Sequence, residues 1–261
     1  MKRTLLTELP EKLPEVIRDF MRDAPVYDSS CSPQARVYYV ERDGGYFVKT
    51  SAPGTLQREA TLASYFHGKG LGAEVPEYFT GESDWMITAR VKGEDCTHGV
   101  YLEDPRRLCD LLGETLRRLH EIDPADCPVQ DRNLSYLALA EENYRTGNYD
   151  SSHFPDSFGY ASAEQAHRVL MEEGGRLAGR VLLHGDYCLP NVMLDNWNFS
   201  GFIDLGNGGV GDRHIDLFWG TWSLAFNLKT DQYRQRFFDA YGRDLVDKDT
   251  LRVIAAAEVF G

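Results

Sequence analysis

Cysteine is scarce and unpatterned in this 261-residue chain. Cys31, Cys96, Cys109, Cys127 and Cys188 form an odd set with no C-x-x-C spacing. That excludes a disulfide framework or thiolate zinc site and fits free thiols in a reducing cytoplasm. The seven histidines hold no H-x-x-x-H pair. No apolar run approaches the roughly 20 residues a bilayer crossing needs. The start, "MKRTLLTELPEKLPEV", interrupts its leucines with Glu8, Pro10 and Pro14. No export signal is expected from it. Positive charge is also lacking: the net charge of −13 argues against nucleic acid as a partner, which needs a basic face. No internal repeat or low-complexity tract appears.

What is present suits one large domain or two modest lobes with a cleft between them. The acid is unevenly placed: residues 93–173 hold 17 Asp and Glu against 7 Arg and no Lys. This is either a solvated acidic face or a surface that attracts a cationic small molecule.

The first ninety residues read mainly as strands with one helix. "ARVYYVER" (35–42) and "GYFVKT" (45–50) flank Asp43-Gly44-Gly45, a hairpin signal. "TLQREATLASYFHGKG" (55–70) spaces Leu56, Ala60, Ala63 and Phe66 as one helical face, and "WMITARV" (85–91) is a further strand. From Asp104, a cap, and Pro105 the pattern turns helical. Leu108, Leu111, Leu112, Leu116 and Leu119 form its stripe. An irregular stretch is expected over 143–160, then short strands around a turn at Asn196-Trp197-Asn198, and helices from about Asp212. The prediction is an α+β, two-lobed protein. Residues 1–92 form a small antiparallel sheet with one helix and a connector, and 93–261 form a larger, mainly helical lobe.

"GFIDLGNGGVGD" (201–212) spells G-x-G-x-x-G through Gly206, Gly208 and Gly211. A dinucleotide fingerprint must open a helix directly behind its glycines and meet an acid at the end of a second strand. Here "DRHIDLFWG" follows, and Asp231 ends no strand. The context excludes that reading. The informative residues lie upstream, in "LLHGDYCLPNVMLD": Asp186 and Asn191 stand five apart, and Asp204 follows on the next hairpin. Phosphoryl transfer needs a carboxylate to position and deprotonate the attacking hydroxyl, and oxygen ligands for Mg²⁺. His-x-Asp, then Asn, then Asp on the next hairpin is how kinases arrange them. Lys49 ends the strand "YFVK", ready to reach phosphates, and Glu59 on the next helix is the carboxylate to hold it. Gly206 and its neighbours would turn the chain beside the metal. His184 reads as a brace of the catalytic loop, Asp216 as an acceptor for loop amides, and Asp195 as a turn residue.

Over residues 182–217 the chain resembles the aminoglycoside 3'-phosphotransferases, kinase-fold enzymes that inactivate kanamycin-type antibiotics. Their H-G-D-x-C-x-P-N-I-M and S-G-F-I-D-L/C-G pattern is reproduced almost without gaps. "RRLHEIDPADCP" (117–128) and "AEVF" (257–260) extend the likeness. The resemblance implies a protein-kinase-like fold using ATP and Mg²⁺. Asp186 would be catalytic, Asn191 and Asp204 the metal ligands, Lys49 the α/β-phosphate ligand and Glu59 its partner. Ser32 would lie in the loop over the nucleotide, and the backbone of Ala89 and Val91 would bind adenine. Glu258 matches an acidic substrate contact. Asp150 and Asp156, from the acidic stretch, join it as carboxylates expected to be ionised at neutral pH for a cationic aminoglycoside. Departures are Asn207 where the family usually has arginine, Ala257 for an acid, Phe226 and Asn227 aligned with acids, and Gly261 beyond Phe260. The expectation is a cytoplasmic kinase of a small-molecule hydroxyl, monomeric or weakly dimeric, without membrane or nucleic-acid partners. The acceptor is an aminoglycoside 3'-hydroxyl, or else a macrolide, amino sugar or amino alcohol. A nucleotide-binding pseudokinase is disfavoured by the complete Lys49, Asp186, Asn191 and Asp204 set.

Overall fold

A computed structural model describes residues 3–31, 35–150 and 158–261. Two compact units emerge: Met1–Gly93 with Ser200–Gly206, and Glu94–Phe199 with Asn207–Gly261.

In the first unit, β1 (Thr4–Leu5), β2 (Val26–Asp28), β3 (Arg36–Val40), β4 (Tyr46–Ser51), β5 (Glu77–Thr80) and β6 (Asp84–Ala89) form one sheet. Its order is β1-β2-β3-β4-β6-β5, antiparallel throughout. The β3–β4 hairpin turns where Asp43, Gly44 and Gly45 all take positive φ, as the Asp-Gly signal requires. Strand alternation divides the sheet's faces. Val48, with Val40, Trp85 and Ile87, packs against Ile17 and Met21 of a helix, α1 (Glu15–Met21). Lys49 faces the opposite way, opposite Met86, which packs with Leu56 and Ala60 beside α2 (Gln57–Gly68). Thus among its described residues the first unit has two helices, not one. The seven residues of α1 bury only Ile17 and Met21, too short a repeat to stand out as helical periodicity. Asp84, fully buried, holds the approach to α2 by accepting the N–H of Gly54 (2.9 Å) and Leu56 (2.8 Å).

The second unit contains β7 (Glu94–Asp95), α3 (Gly99–Leu102), α4 (Pro105–His120), α5 (Arg132–Thr146), α6 (Ala163–Glu173), β8 (Val181–Leu183) and β9 (Val192–Asp195). After β10 (Asn198–Phe202) come β11 (Gly209–Gly211), α7 (His214–Leu228), α8 (Arg234–Tyr241) and α9 (Lys248–Glu258). Asp104 caps α4 by accepting from the Arg107 N–H at 3.2 Å. Leu108, Leu112, Leu116 and Leu119 are the buried part of its stripe. Helix α5 runs on to Thr146 and ends at left-handed Gly147, so residues 143–146 are helical where an irregular stretch is expected. The turn between β9 and β10 has Asn196 and Trp197 at positive φ, as read from the sequence.

Strand β11 pairs antiparallel with β8, as β7 does with β9, so the glycine string opens no βαβ unit. The left-handed residue at that turn is Asp204 itself (φ 56°), with Gly209 at 133°, and Gly206 is not among the positive-φ residues. Gly211 is needed for packing instead: a Cβ there would stand 2.7 Å from Leu183 Cδ1. Among the described residues no helix is long and apolar enough to cross a membrane.

Candidate active site

The loop after β8 is held from below by one carboxylate. Asp216, fully buried near the start of α7, accepts the His184 N–H through Oδ2 (2.8 Å) and the Gly185 N–H through Oδ1 (2.7 Å). Its Oδ2 also meets His120 Nε2 at 3.1 Å, while His120 Nδ1 lies 2.8 Å from the Tyr241 hydroxyl. Burial lowers the His120 pKa against the pull of Asp216. A neutral ring satisfies both contacts, with Nε2–H donating to Asp216 and Nδ1 accepting from Tyr241. Asp216 therefore serves loop amides, as read from the sequence. Gly185 has φ 85°, and a Cβ there would lie 1.8 Å from the Asn207 carbonyl oxygen. Only glycine fits.

These anchors aim Asp186. Its N–H donates to His184 Nδ1 at 3.2 Å, which makes His184 the expected brace. Asn191, in the short turn Leu189–Asn191, donates from Nδ2 to the Asp186 carbonyl oxygen (3.0 Å) and to its Oδ2 (2.9 Å). One carboxylate oxygen is thereby fixed, and Asp186 itself is only partly buried. Ser223 of α7 completes the frame by accepting the Leu189 N–H at 2.9 Å.

The first unit holds a second cluster. Lys49 Nζ donates to both oxygens of Glu59, at 2.9 and 2.8 Å, and to Asp204 Oδ1 at 3.2 Å. The 200–206 segment is tied there by the Phe202 N–H on the Leu71 carbonyl (2.8 Å) and by Phe202 packing edge-on to Phe66. Burial pulls the Lys49 pKa down, but Asp204 and Glu59 together hold it above its ordinary value. Burial raises the Glu59 pKa, Asp204 adds to that, and Lys49 opposes both. We take the group as one shared cation between two carboxylates, because the bidentate geometry favours the charged forms.

Mg²⁺ wants hard oxygens and keeps several waters and phosphate ligands, so two protein oxygens suffice. Asn191 offers its Oδ1, since Nδ2 is committed to Asp186, and Asp204 offers a carboxylate about half exposed. The donor set fits. Among the described residues no group of three or more His, Cys, Asp or Glu is placed to hold a metal.

For adenine, the Ala89 N–H is already spent on the Glu74 carbonyl (2.9 Å). That leaves the Ala89 carbonyl and the Val91 N–H two residues on, neither with a hydrogen-bond partner among the described residues. They make an acceptor and donor suited to a purine edge.

Glu258 departs from expectation. It lies buried at the end of α9, its Oε1 accepting from the Tyr136 hydroxyl (2.5 Å) and Trp219 Nε1 (2.9 Å). Burial pushes its pKa up to about 7, with the Asp186 charge adding to the rise, while Tyr136, Trp219 and Arg132 pull it down. A carboxylate expected to be ionised at neutral pH is instead titrating there, because it is desolvated and faces another acid. Tyr136 and Trp219 carry no sequence signal for this role, being 122 and 39 residues away. Asp150 is exposed just past α5. Ser32 and Asp156 lie outside the described residues.

With this geometry in hand, comparison with known proteins is specific. The model of the phosphotransferase enzyme family matches residues 34–254. A probable aminoglycoside 3'-phosphotransferase of Lactococcus lactis is 46% identical over 252 residues, covering 96% of each chain. The streptomycin 3''-kinase of Streptomyces griseus is 31% identical, covering 71% of each. Among solved structures, an aminoglycoside-3'-phosphotransferase of type VIII superposes with a TM-score of 0.78 at 26% identity, covering 94% of this chain and 97% of that one.

Proposed function

The chain belongs to the phosphotransferase enzyme family, its relatives including aminoglycoside 3'-phosphotransferases, and from that premise we propose that it transfers the γ-phosphoryl group of ATP to the 3'-hydroxyl of an aminoglycoside, inactivating the antibiotic. The observation that carries the chemistry is Asp186, with one carboxylate oxygen fixed by Asn191 and its loop amides fixed by Asp216. Its other oxygen would accept the hydroxyl proton.

The residues divide the work. Asp186 orients the acceptor hydroxyl and takes its proton as that oxygen bonds to the γ-phosphorus. The bond from the γ-phosphorus to the bridging oxygen breaks, and ADP leaves. General-base positioning of this kind is worth about 10²–10⁴ in rate. Lys49, held by Glu59, bears on the α- and β-phosphates. Ala89 and Val91 would face the adenine edge, and Ser32, outside the described residues, would fall in the loop over the nucleotide. Mg²⁺, held through Asn191 Oδ1 and Asp204, would neutralise the charge gathering on the phosphate oxygens. Glu258, with Asp150 and Asp156, would meet the acceptor's ammonium groups. Five free cysteines suit a reducing cytoplasm, where we place the enzyme as a monomer or weak dimer.

Coupled spectrophotometry of ADP release against kanamycin, neomycin and streptomycin, with macrolides and amino alcohols as controls, tests this. Turnover is expected with the kanamycin-type drugs, and phosphate is expected at the 3'-position by mass spectrometry and NMR. ADP release no faster with any aminoglycoside than without acceptor would refute it.

A further inference from the structure

Arg132, the first residue of α5, is a buried cation that no step of the transfer uses. Its surroundings pin it. Asn133 beside it accepts the Asp212 N–H through Oδ1 (2.7 Å) and donates from Nδ2 to the Leu177 and Gly179 carbonyls at 3.0 and 3.1 Å. Just ahead of the helix, the Val129 carbonyl accepts the Val210 N–H at 2.7 Å. The start of α5 is thereby fixed against β11.

The side chain reaches two places. Its Nε donates to the Asn207 carbonyl oxygen at 2.8 Å, the atom against which Gly185 packs so closely that no Cβ fits. Its guanidinium lies 5.2 Å from the ring centroid of Tyr136, one helical turn on. The Tyr136 hydroxyl in turn donates to Glu258 Oε1 at 2.5 Å. Burial, with Glu258 beside it, pushes the Tyr136 pKa well above its ordinary value, so Tyr136 remains a neutral donor. Facing Glu258 are Tyr136 and Arg132 from α5, Trp219 from α7, and Asp186 and Cys188 from the catalytic loop. Burial and Asp186 likewise keep the Cys188 thiol protonated. Among these described groups Arg132 is the one cation. Two carboxylates that face each other out of water resist being ionised together. An acid that keeps its proton has no charge with which to hold an ammonium. A guanidinium does not give up its own charge, so it opposes that resistance at every working pH.

We propose that Arg132 is a positioning residue for acceptor recognition, the buried counter-charge that lets Glu258 meet an ammonium of the acceptor as a carboxylate beside an ionised Asp186. It acts through Glu258 and not on the acceptor, whose ammonium groups it repels. A cation buried beside a site for cations is thus explained by the acid it serves. The proposal rests on the aminoglycoside reading above.

The test uses the full-length enzyme with kanamycin as acceptor, and two substitutions that divide the side chain. Glutamine places its Nε2–H where arginine has Nε, so Arg132→Gln keeps a donor for the Asn207 carbonyl and removes the charge. Arg132→Lys keeps the charge and removes that donor. In the parent, the kanamycin KM should fall as pH rises through about 7, where Glu258 ionises. In Arg132→Gln that fall should move about one pH unit higher. Its KM at pH 7 should then be about three- to tenfold above the parent's and rejoin it toward about pH 9, with kcat and the ATP KM little changed. In Arg132→Lys the fall should stay near the parent's pH. Arg132→Met, equally uncharged, serves if Arg132→Gln does not fold. If kanamycin is turned over but a folded, uncharged variant keeps the parent's pH profile, the proposal is refuted and the kinase reading stands. A KM raised by the same factor at every pH also refutes it, by assigning Arg132 to structure alone. So does a profile that Arg132→Lys displaces as far as Arg132→Gln. If the parent enzyme phosphorylates no aminoglycoside, both readings fall.

Discussion

Replacing Glu258 by glutamine should stabilise the protein at high pH and weaken its grip on the acceptor. Burial and the Asp186 charge raise the Glu258 pKa from 4.5 to about 7, against Tyr136 and Arg132 from α5 and Trp219 from α7. The folded state therefore holds this proton more tightly than the unfolded chain does. Its contribution to stability is complete below pH 4.5 and is lost as pH rises to about 7. The difference between those two pKa values is worth about 3 kcal/mol. Glutamine resembles the protonated acid: its Oε1 can still accept from Tyr136 and Trp219, and it never titrates. Parent and variant should have similar melting temperatures at pH 5. At about 2–4 °C per kcal/mol for a chain of this size, the variant should lead by on the order of 5–10 °C at pH 8. Differential scanning fluorimetry from pH 5 to pH 8 checks it, and a difference between the two proteins that stays constant over that range refutes the reasoning. The kinetics should move oppositely. An ionised carboxylate meeting an ammonium is worth roughly 1.5–3 kcal/mol, so Glu258→Gln should raise the kanamycin KM about tenfold or more without touching that for ATP. A stability cost borne for binding is common at functional sites.

Asp186→Ala should lower kcat by about 10²–10⁴ while nucleotide affinity, read by calorimetry, stays near that of the parent. Asp204→Ala should lose Mg²⁺-dependent ATP binding. Asp212→Ala should keep it and lose stability instead, because Asp212 is buried and accepts from the Gly179 and His214 N–H groups; equal loss of nucleotide binding in the two variants would count against the metal role. Gly185→Ala should melt well below the parent and turn over poorly, since the left-handed backbone alone costs about 1–3 kcal/mol and the added Cβ meets the Asn207 carbonyl. An active, stable Gly185→Ala would show that the catalytic loop tolerates a different path.

Sequence reading reaches as far as local chemistry does. The Asp43–Gly45 turn, the Asp104 cap and the leucine stripe of α4 are decided by neighbours within a few residues, and each stands where its pattern puts it. The motif residues Asp186 and Asn191 meet because only five positions separate them. Lys49 and Glu59 meet because strand alternation turns the lysine toward the following helix. The discrepancies have the opposite character. Gly206 looks like the flexible residue of the metal loop, but Asp204 takes the left-handed backbone. Glycines 209 and 211 are required by close packing, Gly209 against Val129 and Gly211 against Leu183. The acidity of Glu258 is set by Tyr136, Trp219 and Asp186, which share no sequence neighbourhood with it. Phosphoryl transfer is legible in the sequence because its residues fall into two short groups, Lys49 with Glu59 and Asp186 with Asn191 and Asp204. The setting of Glu258 is less so, because it depends on tertiary contacts that bring α5, α7 and α9 around one buried carboxylate.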